Sequence, residues 1–128
     1  MYDPEPLVSV LIPVYNVAEY VDKALMSIVS QSYRNLEIIV IDNCSRDGTI
    51  DIVKRISKFD DRIKVLRNDQ NRGIARTLNF GLSKAQGIFI ARMDGDDISE
   101  YDRIETKVKF LMANPSYSLV GCSVLSID

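Results

Sequence analysis

Residues 8–16 read VSVLIPVYN, a run of mostly apolar residues that ends in Tyr15 and Asn16. Near-continuous apolar character over residues 8–14 is typical of a strand that is buried on both faces of a sheet. The two polar side chains therefore stand at the carboxyl end of a predicted buried strand. Four further short apolar runs also predict strands, at residues 36–41, 63–66, 88–91 and 119–124.

Longer segments separate these strands, and their apolar residues recur every three or four positions, which predicts helices. Residues 20–29 show this spacing, and Asp47-Gly48-Thr49 and residues 99–102 offer helix-start residues. The order β-α-β-α-β-α-β-α-β predicts an α/β fold in which a mostly parallel sheet is flanked by helices in three layers.

The composition describes an ordinary globular chain of 128 residues with a formal net charge of −2. The length predicts a single domain over residues 1–128, and the balanced charge gives no reason to expect a nucleic-acid partner. No apolar run reaches the roughly 18 residues that are needed to span a bilayer. Residues 1–10 lack the basic and apolar regions of a signal peptide, so we expect a cytoplasmic protein.

The chain contains no histidine, which excludes a Ser-His-Asp triad, a histidine general base and a histidine-ligated zinc site. Cys44 and Cys122 are too far apart in sequence for a CxxC motif, and we expect both to be buried, reduced thiols. Any catalysis would therefore rest on carboxylates, amides, tyrosine, lysine or arginine.

Polar residues directly follow four of the predicted strands. Tyr15 and Asn16 follow the first, residues 42–49 the second, residues 68–73 the third and residues 94–97 the fourth. Ligands of open parallel sheets bind outside the carboxyl ends of the strands, where these groups would converge. The sequence therefore predicts a ligand site at this edge of the sheet.

Asp94, Asp96 and Asp97 form the sharpest chemical signal in the chain. Carboxylates two positions apart in a turn can face one hard cation, and Mg²⁺ or Mn²⁺ bound in this way keeps positions for water and phosphate oxygens. A solvated turn or a helix start would have the same spacing, so both interpretations stay open. An EF-hand is excluded because Ile98 and Ser99 stand where that loop needs a ligand and a glycine.

Other loop residues also allow two interpretations each. Asp42 can accept hydrogen bonds from a base or a ribose, whereas Asp47 and Thr49 fit a turn and a helix cap. Tyr15 can stack on a base or simply pack, and Arg72 can contact a ligand or stay solvated in a turn. No GxGxxG or GxxxxGK[ST] pattern occurs, which argues against dinucleotide-binding and P-loop proteins.

Four motifs occur in series: VSVLIPVYN at 8–16, IDNCSRDGT at 41–49, NRG at 71–73 and ARMDGDDIS at 91–99. Together with the continuation at 102–115, they resemble the family 2 glycosyltransferases, in particular the inverting bacterial members. The resemblance covers nearly the whole chain. It implies a Rossmann-like nucleotide-sugar-binding domain of the GT-A type, equivalent to the N-terminal, donor-binding half of such an enzyme.

The resemblance also implies roles for individual residues. Asp94 would contact the ribose, and Asp96 would bind the divalent metal of this DxD motif, with Asp94 as a further candidate ligand. Asp42 matches the acid that hydrogen-bonds the base, and Asp97 extends the acidic cluster. The residues that the resemblance assigns to nucleotide-sugar binding are Pro13, Tyr15, Asn16, Glu19, Asp42, Arg72 and Asp94.

The function that the resemblance implies is transfer of a sugar from a nucleotide-diphosphate donor to an acceptor hydroxyl. This predicts a metal-dependent glycosyltransferase of bacterial polysaccharide biosynthesis, with Mn²⁺ or Mg²⁺ as cofactor and a UDP-sugar as the favoured donor. We expect a saccharide or a lipid-linked acceptor. The alternatives are a non-catalytic nucleotide-sugar-binding module and a sugar-phosphate nucleotidyltransferase, although the glycine-rich loop of the latter is missing at the first strand.

The chain departs from the family pattern in two ways. Asn43 and Cys44 stand where many members have Asp and Gly, and Gly95 stands where Ala is common. Family members also continue into a second half that supplies the acceptor site and the usual catalytic base. We therefore expect this chain to stop before that half, to lack an identifiable catalytic base and to be inactive or weakly active alone. We further expect the fragment to self-associate, and the full-length protein to lie peripherally at the inner face of the membrane.

Overall fold

The centre of the molecule is a four-stranded parallel sheet. The computed structural model describes residues 5–127. The strand order is β3-β2-β1-β4, so the first strand lies inside the sheet. Val14 pairs with Asp42 at the carboxyl ends of the two central strands. The strands are β1 (Val8–Val14), β2 (Leu36–Asp42), β3 (Ile63–Arg67) and β4 (Phe89–Arg92).

The helices cover both faces of this sheet. Side chains alternate between the faces of a strand, so Val10 and Ile12 pack with helices on one face while Leu11 packs on the other. The first face carries α1, α2 and α4, and the second carries α3. The three-layer α/β architecture predicted from the sequence is confirmed. The helices are α1 (Val21–Val29), α2 (Thr49–Ser57), α3 (Ile74–Lys84) and α4 (Arg103–Ala113).

Burial explains the continuous apolar pattern of the two central strands. Every residue of β1 and β2 is buried, because these strands have a neighbour on each side and helices on both faces. The edge strands are less buried: β4 alternates between half-buried and exposed positions, and in β3 only the first residue is buried. None of the helices within residues 5–127 is both long and apolar enough to cross a bilayer.

The amino ends of the strands are joined by one buried carboxylate, that of Glu37 in β2. It accepts hydrogen bonds from Ser9 of β1, from Lys64 of β3 at 2.8 Å and from the backbone of Gln86 and Gly87 ahead of β4. Gly87 lies so close to β1 that a Cβ atom there would come within 2.6 Å of the Ser9 nitrogen. This end of the sheet is therefore tightly fixed, and it lies opposite the carboxyl ends where ligands are expected.

Two predictions from the sequence are wrong. Residues 119–124 do not form a strand, and Leu119 and Val124 are 83% and 91% exposed. A strand needs a pairing edge, and an apolar run does not specify one; over residues 5–127 nothing pairs with β4 on its outer side. Cys122 is likewise exposed rather than buried, while Cys44 is partly buried, and both thiols are free.

Candidate functional site

A cleft of about 430 Å³ opens at the carboxyl ends of β1, β2 and β4. It is the place where the loops after these strands meet the start of α3, as the sequence predicts for a parallel sheet. Its wall combines an aromatic ring, carboxamides, carboxylates and one guanidinium group. The polar and aromatic residues that line it are Tyr15, Asn43, Asn71, Thr77, Arg92, Asp94 and Asp96, and the remaining lining residues include Pro13, Gly73 and Gly95.

Two members of an acidic cluster, Asp94 and Asp96, line this cleft, and the third, Asp97, lies beside them. Asp94, Asp96 and Asp97 are exposed, and each offers a carboxylate oxygen within 4.8 Å of the others. Partial desolvation by its neighbours and the negative charges of Asp96 and Asp94 raise the pKa of Asp97, and the charge of Arg103 only partly opposes this. The three carboxylates are hard oxygen donors that repel one another, and a cation would relieve this repulsion. They therefore form a donor set that suits Mg²⁺ or Mn²⁺.

Gly95 explains how this cluster is kept close to β1. A Cβ atom at this position would come within 2.7 Å of Val14 Cγ1 and 3.1 Å of Val17 Cγ2. Only glycine allows the turn to lie this close without movement of its neighbours. Gly95, which departs from the Ala common in the family, therefore has a packing reason in this chain.

The loop after β1 is fastened to the loop after β2. Asn16 has a left-handed φ of 49°, and its side-chain oxygen accepts a hydrogen bond from the Arg46 nitrogen at 2.9 Å. The Asn16 nitrogen in turn donates to Ser45 Oγ at 2.9 Å. Tyr15, which is 47% exposed, stands in the cleft wall, whereas Glu19 is exposed outside that wall.

Asp47 and Thr49 have the structural roles of turn and helix start. Asp47 Oδ1 accepts from the nitrogen and the hydroxyl of Thr49, the first residue of α2. Asp47 Oδ2 accepts from the Ala18 nitrogen at 3.0 Å. The Thr49 hydroxyl is the main reason that the pKa of Asp47 is lowered. Asp47 thus accepts the first N–H of α2 from the turn ahead of the helix, whereas the N-cap position itself is Gly48, which has no side chain to cap with, and Thr49 is the first helical residue.

Asp42 lies beside the cleft but does not line it. Its side chain is fully buried, its carboxylate accepts from the Ser45 nitrogen at 3.2 Å, and Arg67 Nε lies 3.2 Å from Asp42 Oδ2. The next residue, Asn43, is the one at the cleft wall. The role of Asp42 in base binding stays a prediction, and in this structure its carboxylate is held by protein groups.

Arg72 is also outside the cleft wall, while its neighbours Asn71 and Gly73 belong to it. The Arg72 guanidinium lies 2.8 Å from Asp69, and this contact lowers the pKa of the Asp69 carboxyl. The Arg72 backbone nitrogen donates to Asn43 Oδ1 at 2.8 Å. The backbone of residue 72, rather than its charge, thus takes part in shaping the cleft.

Sequence reasoning missed Asn43, Asn68 and Thr77. In the sequence Asn43 stands out only as a departure from the family pattern, and no motif assigns a role to the other two. Their side chains form a hydrogen-bonded network behind and within the cleft wall. The available signal was weak: Asn43 and Asn68 each follow the predicted end of a strand, but so do many polar residues that only face solvent.

Comparison with known proteins identifies the family of this chain and agrees with its fold. The sequence profile of glycosyl transferase family 2 matches residues 9–128, and the chain belongs to this family. A relative from Haemophilus influenzae, named as an uncharacterized glycosyltransferase, is 44% identical over 116 residues, which are 91% of this chain and 36% of that protein. This chain spans between 36% and 50% of the length of the first three curated relatives.

Solved structures agree with the fold. The mannosyltransferase PcManGT from Pyrobaculum calidifontis, in complex with GDP-Man and Mn²⁺, superposes with a TM-score of 0.79 at 31% identity over 84% of this chain and 32% of that chain. S. aureus TarS 1-349 in complex with UDP-GlcNAc gives a TM-score of 0.78 at 28% identity, over 84% of this chain and 32% of that chain. The prediction of a GT-A type α/β fold is confirmed.

Proposed function

We propose that the cleft binds the nucleotide-diphosphate sugar of an inverting glycosyltransferase, with a UDP-sugar as the favoured donor. The observation that carries this proposal is that Asp94 and Asp96 line a cleft with aromatic and carboxamide walls, while Asp97 lies beside them in the same acidic cluster. Carboxylates suit a cation on a diphosphate, and an aromatic ring with amides suits a base and ribose. The complexes of PcManGT with GDP-Man and of TarS with UDP-GlcNAc support the same class of ligand.

Asp96, together with Asp94, would hold Mn²⁺ or Mg²⁺ in this proposal. Such an ion, when bound, supplies Lewis-acid stabilisation of the charge that develops on the leaving diphosphate. The protein contributes a fixed turn, because Gly95 packs against Val14 and Val17 and so holds both carboxylates at the cleft. Arg92 Nη2 lies 3.3 Å from Asp94 Oδ1 and can exchange this weak, exposed contact for one with a phosphate.

Pro13 and Tyr15 would flank the nucleotide, and the Asn43 carboxamide, which lies in the cleft wall, would face the base. Asn16 would act indirectly, since its side chain fastens the first loop through the Arg46 nitrogen. Glu19, Asp42 and Arg72 line no part of the cleft wall. Their contacts with the nucleotide sugar, including the base contact of Asp42, stay predictions from the resemblance, and the buried Asp42 carboxylate would have to exchange its contacts with Ser45 and Arg67 to make one.

The acceptor in this proposal is a saccharide or lipid-linked hydroxyl, consistent with polysaccharide biosynthesis. We expect the general base and the acceptor-binding groups in the part of the relatives that has no counterpart in these 128 residues. We also propose a cytoplasmic location, with the full-length protein peripheral at the inner face of the membrane.

Calorimetric titration of UDP into this chain tests the proposal. We expect binding in the presence of Mn²⁺, none with EDTA, and loss of the metal-dependent binding in Asp96→Asn, because that change removes a carboxylate from the cluster. The matched control is Asp61→Asn, an exposed aspartate ahead of β3 at the opposite end of the sheet, and it should bind as the unchanged chain does.

Binding of GDP in place of UDP would correct the base while keeping the ligand class. Failure of UDP, GDP and dTDP to bind with Mn²⁺ present would overturn the proposal for this chain.

A further inference from the structure

Asn68 has an unusual position for a polar side chain, because it is buried behind the cleft and not part of its wall. It follows β3 directly, is 6% exposed, and its backbone nitrogen donates to the Asp42 oxygen at 2.8 Å. Its Nδ2 group donates two hydrogen bonds, one to Asn43 Oδ1 and one to Thr77 Oγ1, both at 2.9 Å. One amide group therefore joins two residues that do line the cleft.

These two acceptors stand on different elements. Asn43 follows β2, whereas Thr77 is in the first turns of α3 and is fully buried. Thr77 Oγ1 donates in turn to the Gly73 oxygen at 2.7 Å. Asn68 thus fixes the separation between the end of β2 and the start of α3, which is the width of this part of the cleft.

The direction of every hydrogen bond in the network is determined. Asn43 Oδ1 accepts from Asn68 and also from the Arg72 nitrogen, so Asn43 Nδ2 is left to donate to Asn71 Oδ1 at 2.9 Å. Asn71 Oδ1 accepts a second hydrogen bond from the Gly73 nitrogen at 3.0 Å. If the Asn43 carboxamide turned over, its NH₂ group would face two donors, and its oxygen would face the oxygen of Asn71.

We propose that Asn68 is a positioning residue for the donor site: by donating to Asn43 and Thr77 it orients the Asn43 carboxamide and sets the cleft wall that contacts the nucleotide. This inference rests on the proposed function, since it assigns to Asn68 an effect on nucleotide affinity. Asn68 acts through its two partners and touches no ligand itself.

The test compares Asn68→Asp and Asn68→Leu with the control Asn79→Asp. Aspartate keeps the size of Asn68 but turns a double donor into acceptor oxygens that face Asn43 Oδ1 and the Thr77 hydroxyl, whereas leucine removes the donor without adding charge. Asn79 lies on the exposed side of α3 outside the cleft wall. Asn79→Asp therefore adds the same negative charge as Asn68→Asp without changing the network. The measurements are the affinity for UDP with Mn²⁺, the affinity for Mn²⁺ alone and the thermal unfolding midpoint.

We expect Asn68→Asp to weaken UDP binding by about tenfold or more, the effect of leaving a buried polar group unsatisfied, and Asn68→Leu to weaken it less. Mn²⁺ affinity should stay unchanged, because Asp94 and Asp96 share no hydrogen bond with the network. The backbone amides of Arg72 and Gly73 should exchange with solvent faster, which reports loss of orientation at Asn43 and Asn71.

Unchanged UDP affinity in a folded Asn68 variant overturns the inference. Parallel losses of UDP and Mn²⁺ affinity also overturn it, since they indicate general loosening of the domain. If Asn68→Asp does not fold, the affinities of Asn68→Leu for UDP and for Mn²⁺ test the inference by the same criteria. Absence of UDP binding by the unchanged chain is a different result, because it contradicts the proposed function before any variant is compared.

Discussion

At the scale of single residues, the site depends on glycine as much as on its carboxylates. Gly95 has no room for a side chain beside Val14 and Val17, and the turn that it permits carries the two aspartates of the DxD motif. Gly73 differs, because its φ of 78° needs a glycine while the space around it is open. Glycine is needed at residue 95 because neighbouring atoms approach closely, and at residue 73 because the backbone φ is positive.

Replacement of Gly95 by alanine should therefore disturb the acidic turn. We expect Gly95→Ala to lower the free energy of unfolding by about 1–3 kcal/mol, as forced overpacking does, and to weaken Mn²⁺ binding because the turn must move away from β1. Urea unfolding and metal titration measure the two effects. Gly121→Ala is the control, since no atom lies within 4 Å of a Cβ atom there; equal stabilities of the two variants would contradict the packing argument.

At the scale of elements, the sheet is held at its two ends by different chemistry. The amino ends of the strands meet at the buried Glu37, and the carboxyl ends carry the cleft. Burial by itself raises the pKa of Glu37, but hydrogen bonds from the Gln86 nitrogen, Lys64 and Ser9 outweigh it, so the pKa lies below its ordinary value. The carboxylate form is thus the one that joins β1, β2, β3 and the turn ahead of β4.

This lowered pKa gives the stability a definite pH dependence. Because the folded state favours the carboxylate, Glu37 stabilises the protein above its unfolded-state pKa, near the ordinary value of 4.5, and this contribution is lost as the pH falls through the lower folded-state pKa. Glu37→Gln should cost about 2 kcal/mol at pH 7 and should reduce the loss of stability between pH 6 and pH 3.

Chemical unfolding at several pH values measures this dependence. Glu100→Gln, at an exposed position, should keep the profile of the unchanged chain. An unaltered profile in Glu37→Gln would show that other carboxyl groups cause the acid sensitivity.

At the scale of the whole molecule, the two edges of the sheet differ in character. The β3 edge carries the charged residues Lys64 and Arg67, which discourage pairing with another chain. The β4 edge carries Ile90, 46% exposed, next to Ile88, 73% exposed. Other exposed apolar residues lie in the segment after α4; they are Leu119, Val124, Leu125 and Ile127.

We expect this chain to self-associate through the β4 edge, as a dimer. Ile90→Lys should shift the mass measured by light scattering towards the monomer, because a charge at an edge strand opposes pairing. Phe59→Lys is the control, since Phe59 is also exposed but follows α2, away from β4. A monomer at high concentration in the unchanged chain would refute the expectation.

The sequence predicts the elements of this fold well and its site less completely. Strands β1 to β4 follow from apolar runs, since burial on both faces leaves a clear pattern in residues such as those of 8–14. The run at 119–124 has the same apolar pattern but no strand to pair with. The sequence pattern does not show this, because strand pairing depends on the folded chain. The roles of Asn43 and Asn68 depend on the direction in which side chains point at the ends of strands. That direction follows from the backbone there, which includes a left-handed φ of 68° at Cys44, and the spacing of residues in the sequence does not reveal this conformation.

The central position of β1 also determines when the cleft can exist during folding. Residue 8 pairs with residue 36 on one side and with residue 89 on the other, so the second pairing closes a far longer loop. The acidic turn follows β4 directly and reaches the other loops only after that pairing. During synthesis from the N-terminus, the cleft wall between β2 and α3 can therefore form before the acidic turn joins it, and we expect the complete cleft to be among the last parts of the domain to assemble.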